Sequence, residues 1–445
     1  MKNRQRVEFL VIATIFLYLL YAFFPFVRAF PYPIRAVIRV LPEILLFVSV
    51  ILCMRVSILG HYLLYTLFAI FLALVRSIVY ANGIVENVFV NIINSIMYWH
   101  CLSIGEIAIR YVSKKHTYSL FIVSLVLVVL SSFTTAVGNV LIPEATRYSA
   151  NFEEVDFKYY IFNIGAYSFI YSLAFYSLLL LGAVFYMRRR NRLLRLAVLA
   201  ICFVCLIASQ FMTAILIFVA TTIAFIIVKM KWKGRFAFIA ILLLLVIFSR
   251  QIIEFAIFVS REINFGSLVE RFEGVYNLLF SSDSTGDVSA RIHLYMISIT
   301  HFLKNPLLGL MGIVGFNRIE YIITDDLLNR DYSSVIAVGH HSDIIDLLGG
   351  NGLITLLLFL IVLVGFALTI VRKIRSKRMR ATYFVIIIAF LVYGIFDHAL
   401  SCLDVSFVIF AFTPLVMNKC FAYKRRKVVK KAVVKNEIQS VPYSA

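Results

Sequence analysis

Three stretches of this chain carry no charged residue at all: Leu120 to Val140, Phe211 to Val228 and Leu353 to Val371. Each is close to the length that crosses a bilayer as one helix, for which about 20 apolar residues are needed. Inside a bilayer no water is present to bond backbone N–H and C=O groups, so a single long apolar run is satisfied only as a helix. The remainder of the chain agrees. Hydrophobic residues make up 62% of it, against roughly 45–50% in soluble domains, and a soluble core has no place for that much apolar surface. Hydropathy predicts an all-α polytopic integral membrane protein of about 12 transmembrane helices, centred near residues 16, 47, 66, 93, 126, 172, 200, 218, 242, 360, 388 and 409. The fourth stands apart, because Glu86, Asn87, Asn91, Asn94 and His100 make it either amphipathic or the lining of a polar interior.

Basic residues set the expected orientation, since short cytoplasmic loops retain Lys and Arg. With the amino terminus inside, the cytoplasmic segments hold 30 of the 43 basic residues, while Glu144, Glu153, Glu154, Asp156, the acids from Glu254 through Asp331, Asp397 and Asp404 fall outside. Both termini are then cytoplasmic. Lys2, Arg4 and Arg6 precede the first apolar run as in a secretory signal, but no small-residue cleavage site follows, so this run reads as a retained helix that directs insertion. The net charge of +20 is thereby explained by topology and anionic lipid, and no folded basic surface for nucleic acid is expected. Cys202 and Cys205 form a CxxC inside a run of Leu, Val, Ala and Phe, which suits core packing rather than metal or redox chemistry.

The expected organisation is transmembrane helices 1–9 over residues 1–249, one large extracytoplasmic loop over 250–341, helices 10–12 over 342–420 and a basic cytoplasmic tail over 421–445. A connector of that length is usually functional or disordered. This one is not disordered in composition: Phe265, Leu268, Val269, Phe272, Val275, Leu278 and Leu279 recur at spacings of three and four, the pattern of an amphipathic helix on a membrane surface. A second helix is expected from Ser289 to Phe302. It contains Arg291 and Tyr295 and ends before Asn305-Pro306-Leu307-Leu308-Gly309. Further on, Gly339-His340-His341-Ser342-Asp343 leads through Leu347-Leu348-Gly349-Gly350-Asn351-Gly352 into the tenth apolar helix.

In these motifs the chain resembles the O-antigen ligase and polymerase superfamily. Its hallmark is a long outer loop that ends in His-(Asn or Ser)-x-x-Leu-x-x-Leu-x-x-x-Gly, here His341-Ser342, Ile345, Leu348 and Gly352, with an upstream Arg and an Asn-Pro-Leu-x-Gly segment, here Arg291 and Asn305 to Gly309. Thr355 stands where a second glycine is common. The resemblance implies a GT-C-like glycosyltransferase architecture, and a membrane enzyme of the bacterial cytoplasmic membrane that takes glycan from an undecaprenyl diphosphate carrier. It implies no cofactor and no metal. The implied partners are the lipid-linked oligosaccharide, membrane lipids, and the chain-length regulator and flippase of the same pathway. Adjacent acids Asp325-Asp326 are a weak metal signal, since neighbours in sequence point apart in most backbones.

The residue types suit that reaction. A guanidinium is a permanently charged fork for a diphosphate leaving group, which marks Arg291 first, with Arg250, Arg261, Arg271 and His340 as helpers. A neutral imidazole accepts a hydroxyl proton near neutral pH, which marks His341 as the base. Blander readings stand beside these. His341 also simply precedes a helix that Ser342 caps and whose positive end Asp343 and Asp346 complement; the resemblance favours catalysis. His340 reads also as an exposed loop residue, His293 and His301 as polar-face residues, and the three helper arginines as interface anchors. Gly349, Gly350 and Gly352 let a neighbour approach closely.

Polysaccharide polymerase and ligase remain open, because they share a donor and differ in acceptor. A flippase or secondary transporter is the rival from another class, although such proteins place their key polar groups near the bilayer midplane. The topology is tested by Ser282→Cys, expected to react with an impermeant maleimide from outside. Labelling only after the membrane is opened would overturn the assigned orientation.

Overall fold

The structure is a computed structural model that describes residues 2–80, 85–142, 145–146, 157–187, 191–230, 244, 247–263, 265–281, 287–314, 320–322, 337–339, 342–374, 376–398 and 402–421. It is a helical bundle. Six long helices come first: α1 (Lys2–Phe23), α2 (Tyr32–Cys53), α3 (Val56–Tyr80), α4 (Val85–Tyr111), α5 (Lys114–Leu141) and α6 (Tyr167–Tyr186). Two shorter ones follow, α7 (Arg192–Ala208) and α8 (Met212–Lys229), and then the loop helices α9 (Ser249–Glu262), α10 (Gly266–Phe280) and α11 (Asp287–Lys304). The chain returns to the bundle with α12 (Asp343–Lys373), α13 (Lys377–Phe396) and a final helix, α14, over 403–419. Two three-residue strands, Glu320–Ile322 and Ala337–Gly339, pair in parallel, the second of them against α11.

Eight helices among the described residues are long and apolar enough to cross a membrane, and the chain is a multi-pass membrane protein. Eleven of the twelve hydropathy centres fall within α1 to α8 or α12 to α14; the twelfth, near residue 242, lies outside the described residues. The amphipathic loop stretch is α10 and the Arg291 stretch is α11, each within two residues of its expected ends.

Burial sorts the helices. Within the spanning window of α6, 89% of residues are buried, against 28% for α2, so α6 lies inside the bundle and α2 at its rim. That is the placement expected of a helix apolar all round. α14 sits against α4: its middle, Phe407–Phe412, widens to a π-helix, and a Cβ on Gly105 of α4 would collide with the Phe410 carbonyl oxygen. The glycine is what permits the contact. All six cysteines are buried free thiols, in keeping with core packing of Cys202 and Cys205.

One kink shapes the end of the bundle that carries the loop. α12 is broken at Gly352, whose φ of 74° and ψ of −176° belong to a region essentially restricted to glycine. The break frees the N–H groups of Leu353 and Ile354, whose ordinary acceptors would be the carbonyls of Gly349 and Gly350. They donate instead to the carbonyls of Pro306 (2.9 Å) and Leu307 (3.4 Å). The Asn305–Gly309 turn, closed by Gly309 N–H on the Asn305 carbonyl at 2.7 Å and by Leu308 N–H on Asn305 Oδ1, is shaped to present them. Gly309 touches the backbone of Gly349, Gly350 and Gly352, and Gly349 lies against Ser298 of α11. The two halves of the sequence motif are thus one joint. At the position of the missing second glycine, the Thr355 hydroxyl donates back to the Asn351 carbonyl within the helix.

Gly352→Ala should cost about 1–3 kcal/mol in backbone strain alone, and its Cβ would also meet the Leu307 carbonyl. Gly365→Ala, further along α12 with nothing within 4 Å, is the control. Detergent-solubilised Gly352→Ala is expected to melt earlier and Gly365→Ala at or slightly above the parent. Equal melting of the two would contradict the kink.

Candidate functional site

The joint holds the start of α12 against the ends of α11 and α13. Ser342 caps α12: its Oγ accepts the Ile345 N–H at 3.0 Å and donates to the Gly394 carbonyl of α13 at 3.1 Å, and its own N–H donates to Asp346 Oδ2 at 3.0 Å. Asp346 in turn accepts from Ser298 Oγ of α11 at 2.7 Å, and Asp343 N–H donates to the Asp397 carbonyl at 3.4 Å. The Tyr295 hydroxyl of α11 donates to the Phe396 carbonyl at 3.2 Å. Three helices separated in sequence are therefore tied at one corner. The cap predicted for Ser342 does form, and it also serves as the bond between α12 and α13.

Beside this corner lies a carboxylate that sequence reasoning did not single out. Asp397, at the end of α13, accepts the hydroxyls of Tyr167 (2.6 Å) and Tyr171 (2.5 Å) from the first turns of α6, and the N–H of His398 (2.9 Å). Three donors thus converge on one buried carboxyl group. The Tyr393 hydroxyl, which donates to the His398 carbonyl at 2.9 Å, stands 3.2 Å from that of Tyr167. His398 Nδ1 lies 3.9 Å from Asp343 Oδ1. Arg291 of α11 comes within electrostatic reach of Tyr171.

A second ion pair closes the same rim. Arg28, after α1, bonds Asp404 at the start of α14 (2.6 Å) and Ser168 of α6 (2.6 Å), and stacks over Tyr21. Burial, the largest single influence, lowers its tendency to hold a proton, but Asp404 together with Tyr21 and Tyr160 more than offsets this and the guanidinium is held above its ordinary value. Arg39 of α2 lies over the other side of Tyr21 and donates to Asn94 Oδ1 of α4 at 2.8 Å. Buried Asp343, Asp346, Asp397 and Asp404 thus share one end of the bundle with Arg28, Arg291 and His398. The signal in the sequence was the Asp397-His398 pair interrupting an apolar tract, and the basic stretch Arg28 to Arg39 on a loop counted as outer.

The other predicted residues fall elsewhere. Arg250 and Arg261 lie on α9, exposed and paired with Glu254 (3.0 Å) and with Glu273 of α10, and Arg250 also stacks over Tyr276. Hydrogen bonds from Arg250 and from the Tyr276 hydroxyl hold the Glu254 carboxyl below its ordinary range. These pairs staple α9 to α10 rather than converge on Asp397. Arg271 is a half-buried residue of α10. His340 and His341 lie outside the described residues; Ser342, which follows His341, is buried in the corner. His301 is buried and His293 exposed.

In this multi-pass bundle, buried acids and cations thus gather at the end where the loop returns. Residues 196–360 match the family described as O-antigen ligase, so that this segment is similar to that family. The matched span takes in α11, the Asn305–Gly309 turn and the kink, and it ends short of Asp397. The match ties the chain to ligase- or polymerase-type assembly of cell-surface glycan. No curated protein matches it.

Tyr171→Phe removes one hydrogen bond to a buried carboxylate, an interaction typically worth about 1.5–3 kcal/mol. Its midpoint in denaturing detergent should fall while its oligomeric profile stays unchanged. A parental midpoint would show that the hydroxyl does not hold Asp397.

Proposed function

We propose that the protein is a polymerase of a cell-surface polysaccharide (O-antigen, capsule or exopolysaccharide) that moves glycan from an undecaprenyl-diphosphate-linked donor to a hydroxyl of a lipid-linked acceptor. The observation that carries this reading is the corner within the O-antigen ligase match: Ser342, next to His341 in sequence, bonds Asp346, which accepts from Ser298 of α11, the helix that bears Arg291. In the reaction the acceptor oxygen attacks the anomeric carbon as the bond from that carbon to the diphosphate oxygen breaks. Arg291 meets the charge that builds on the departing diphosphate. The His341 imidazole takes the hydroxyl proton. The Tyr167 and Tyr171 hydroxyls hold the Asp397 side chain in place at the same end of the bundle.

The same reading sets the membrane frame. The loop over 250–341 faces away from the cytoplasm and both termini face it, in a bacterial cytoplasmic membrane. The twelve-helix, GT-C-like count is reached when the short helices α7, α8 and α14 and the apolar run near residue 242 are counted as spans. The donor headgroup approaches along α9 and α10, which carry Arg250, Arg261 and Arg271, with His340 as a further helper, and the chain-length regulator and flippase of the pathway are its working neighbours. A ligase that transfers finished glycan to a lipid core would use the same donor site.

His341→Ala should reduce glycan extension about 10²–10⁴-fold, the usual contribution of a general base, with unchanged abundance in the membrane; normal polymer would remove it as the base. Arg291→Lys replaces a fork by a point charge and should be slow as well, and wild-type kinetics would sink that assignment. Reconstitution with lipid-diphosphate-linked repeat units alone decides the acceptor. A ladder of lengths supports the polymerase, and transfer only on adding a second acceptor supports the ligase.

A further inference from the structure

The loop carries one apolar surface that the site does not use. Leu244, Phe248, Ile252, Phe255, Val259 and Ile263 follow one another at spacings of four, four, three, four and four, and all are exposed, Phe255 most of all at 66%. At about 100° per residue they fall within a sector of about 100°, so they form one stripe along the helix. Helical bonding runs through its start, from Phe248 N–H to the Leu244 carbonyl (2.9 Å) and from Ile252 N–H to the Phe248 carbonyl (3.0 Å). The stripe is about 28 Å long at about 1.5 Å per residue.

The other sides of α9 have partners. Ile253, Ala256 and Ile257 are half-buried and Ser260 is buried, on the side turned away from the stripe. The charges occupy the flank towards α10: Glu254 takes Arg250 (3.0 Å) and the Tyr276 hydroxyl (3.1 Å), and Arg261 bonds Glu273. α10 itself turns inward at its start, where Leu268 is buried and the buried Ser267 hydroxyl donates to Gln210 Oε1 at 3.0 Å. Sequence spacing marked α10 for a membrane surface, yet its neighbour α9 holds the longer open apolar face.

Gln210 sets the depth of this hairpin. It lies in the turn between α7 and α8, and α7, with 17 residues, rises about 25 Å at about 1.5 Å per residue, close to the roughly 30 Å of a bilayer's hydrocarbon core. Ser267 is therefore held level with the end of the bundle rather than above it. The other end of α9 follows the apolar run near residue 242, the ninth expected span. With both ends at the membrane face, α9 runs along that face. An apolar stripe flanked by charges fits the boundary between headgroups and acyl chains, and a contiguous patch of this kind marks an interaction surface. Lipid is the partner favoured, because the stripe is continuous with Leu244 in the apolar run.

We propose that α9 is an interfacial helix whose stripe over 244–263 is sunk among the phospholipid acyl chains of the leaflet on the loop side, with Arg250 and Arg261 at headgroup depth. This placement rests on the chain being a multi-pass membrane protein and is independent of the glycan reading.

The test is the full chain in phosphatidylcholine vesicles with a nitroxide on Phe255→Cys or on Ile263→Cys. Glu270→Cys, exposed on α10, is the aqueous reference, and the unsubstituted chain, whose cysteines are all buried, is the labelling blank. Collisions with oxygen, which concentrates in lipid, are compared with collisions with a water-soluble nickel chelate. The oxygen-to-nickel ratio at 255 and at 263 is expected to exceed that at 270 several-fold. A ratio at either position equal to that at 270 puts the stripe in water and overturns the proposal. Spin–spin broadening at 255 that vanishes on dilution with unlabelled chain overturns it as well, since a second copy is then the occupant. Where Phe255→Cys fails to fold, Ile252→Cys on the same stripe takes its place.

Discussion

The break in α12 at Gly352 is the constraint on which the loop end of this protein depends. Two backbone N–H groups released in an apolar bundle would each be costly if left unmet, and the Asn305–Gly309 turn supplies the two carbonyls that meet them. That exchange fixes where α11 ends relative to α12. Through Gly349 on Ser298 it also fixes how closely the two helices approach. Ser298 on Asp346 and Ser342 on Gly394 then bring in α13, and Asp397 follows at its end. The setting of α11, the helix that bears Arg291, against α12 and α13 is the last consequence of a joint made of glycines and a proline.

Much of this was legible in the sequence because bilayer physics leaves few options. Runs such as Leu120 to Val140 have only one way to satisfy their backbone, so the places of the helices could be read from hydropathy, whereas eight helices among the described residues are long and apolar enough to span, against the twelve expected. The Ser342 cap and the Arg291 helix were legible for a related reason: capping and amphipathic spacing are local properties. The glycines at 349 and 352 were visible as close-approach positions, but not which partner they met. That partner, the turn at 305–309, lies outside the helix, and nothing local in α12 identifies it.

What could not be read was convergence. Asp397 is a single acid after a helix, and its importance comes from Tyr167 and Tyr171, more than two hundred residues earlier. Arg250 and Arg261 have the same side chain as Arg291, yet on α9 their nearest carboxylates are Glu254 and Glu273, and spacing alone does not separate a staple from a site residue. His100 was noticed as polar in an apolar helix, but its partner Glu43 sits on another helix. In each case the missing information was tertiary contact between elements that alternate in direction through the bundle.

The acids and cations at the loop end suggest a division of labour. Arg28 is held by Asp404 and Ser168 and locks α6 and α14 at the rim, whereas Arg291 lies on α11, the helix that Ser298 and Asp346 tie to α12. The most direct measurement of this account is photo-crosslinking of the full chain with a polyprenyl diphosphate bearing a photoreactive group next to the diphosphate, followed by peptide mapping. Labelling confined to α11 and to the segment from Asp397 to Asp404 is the predicted result. Labelling at the opposite end of the bundle, around Arg110 and Lys373, would contradict it.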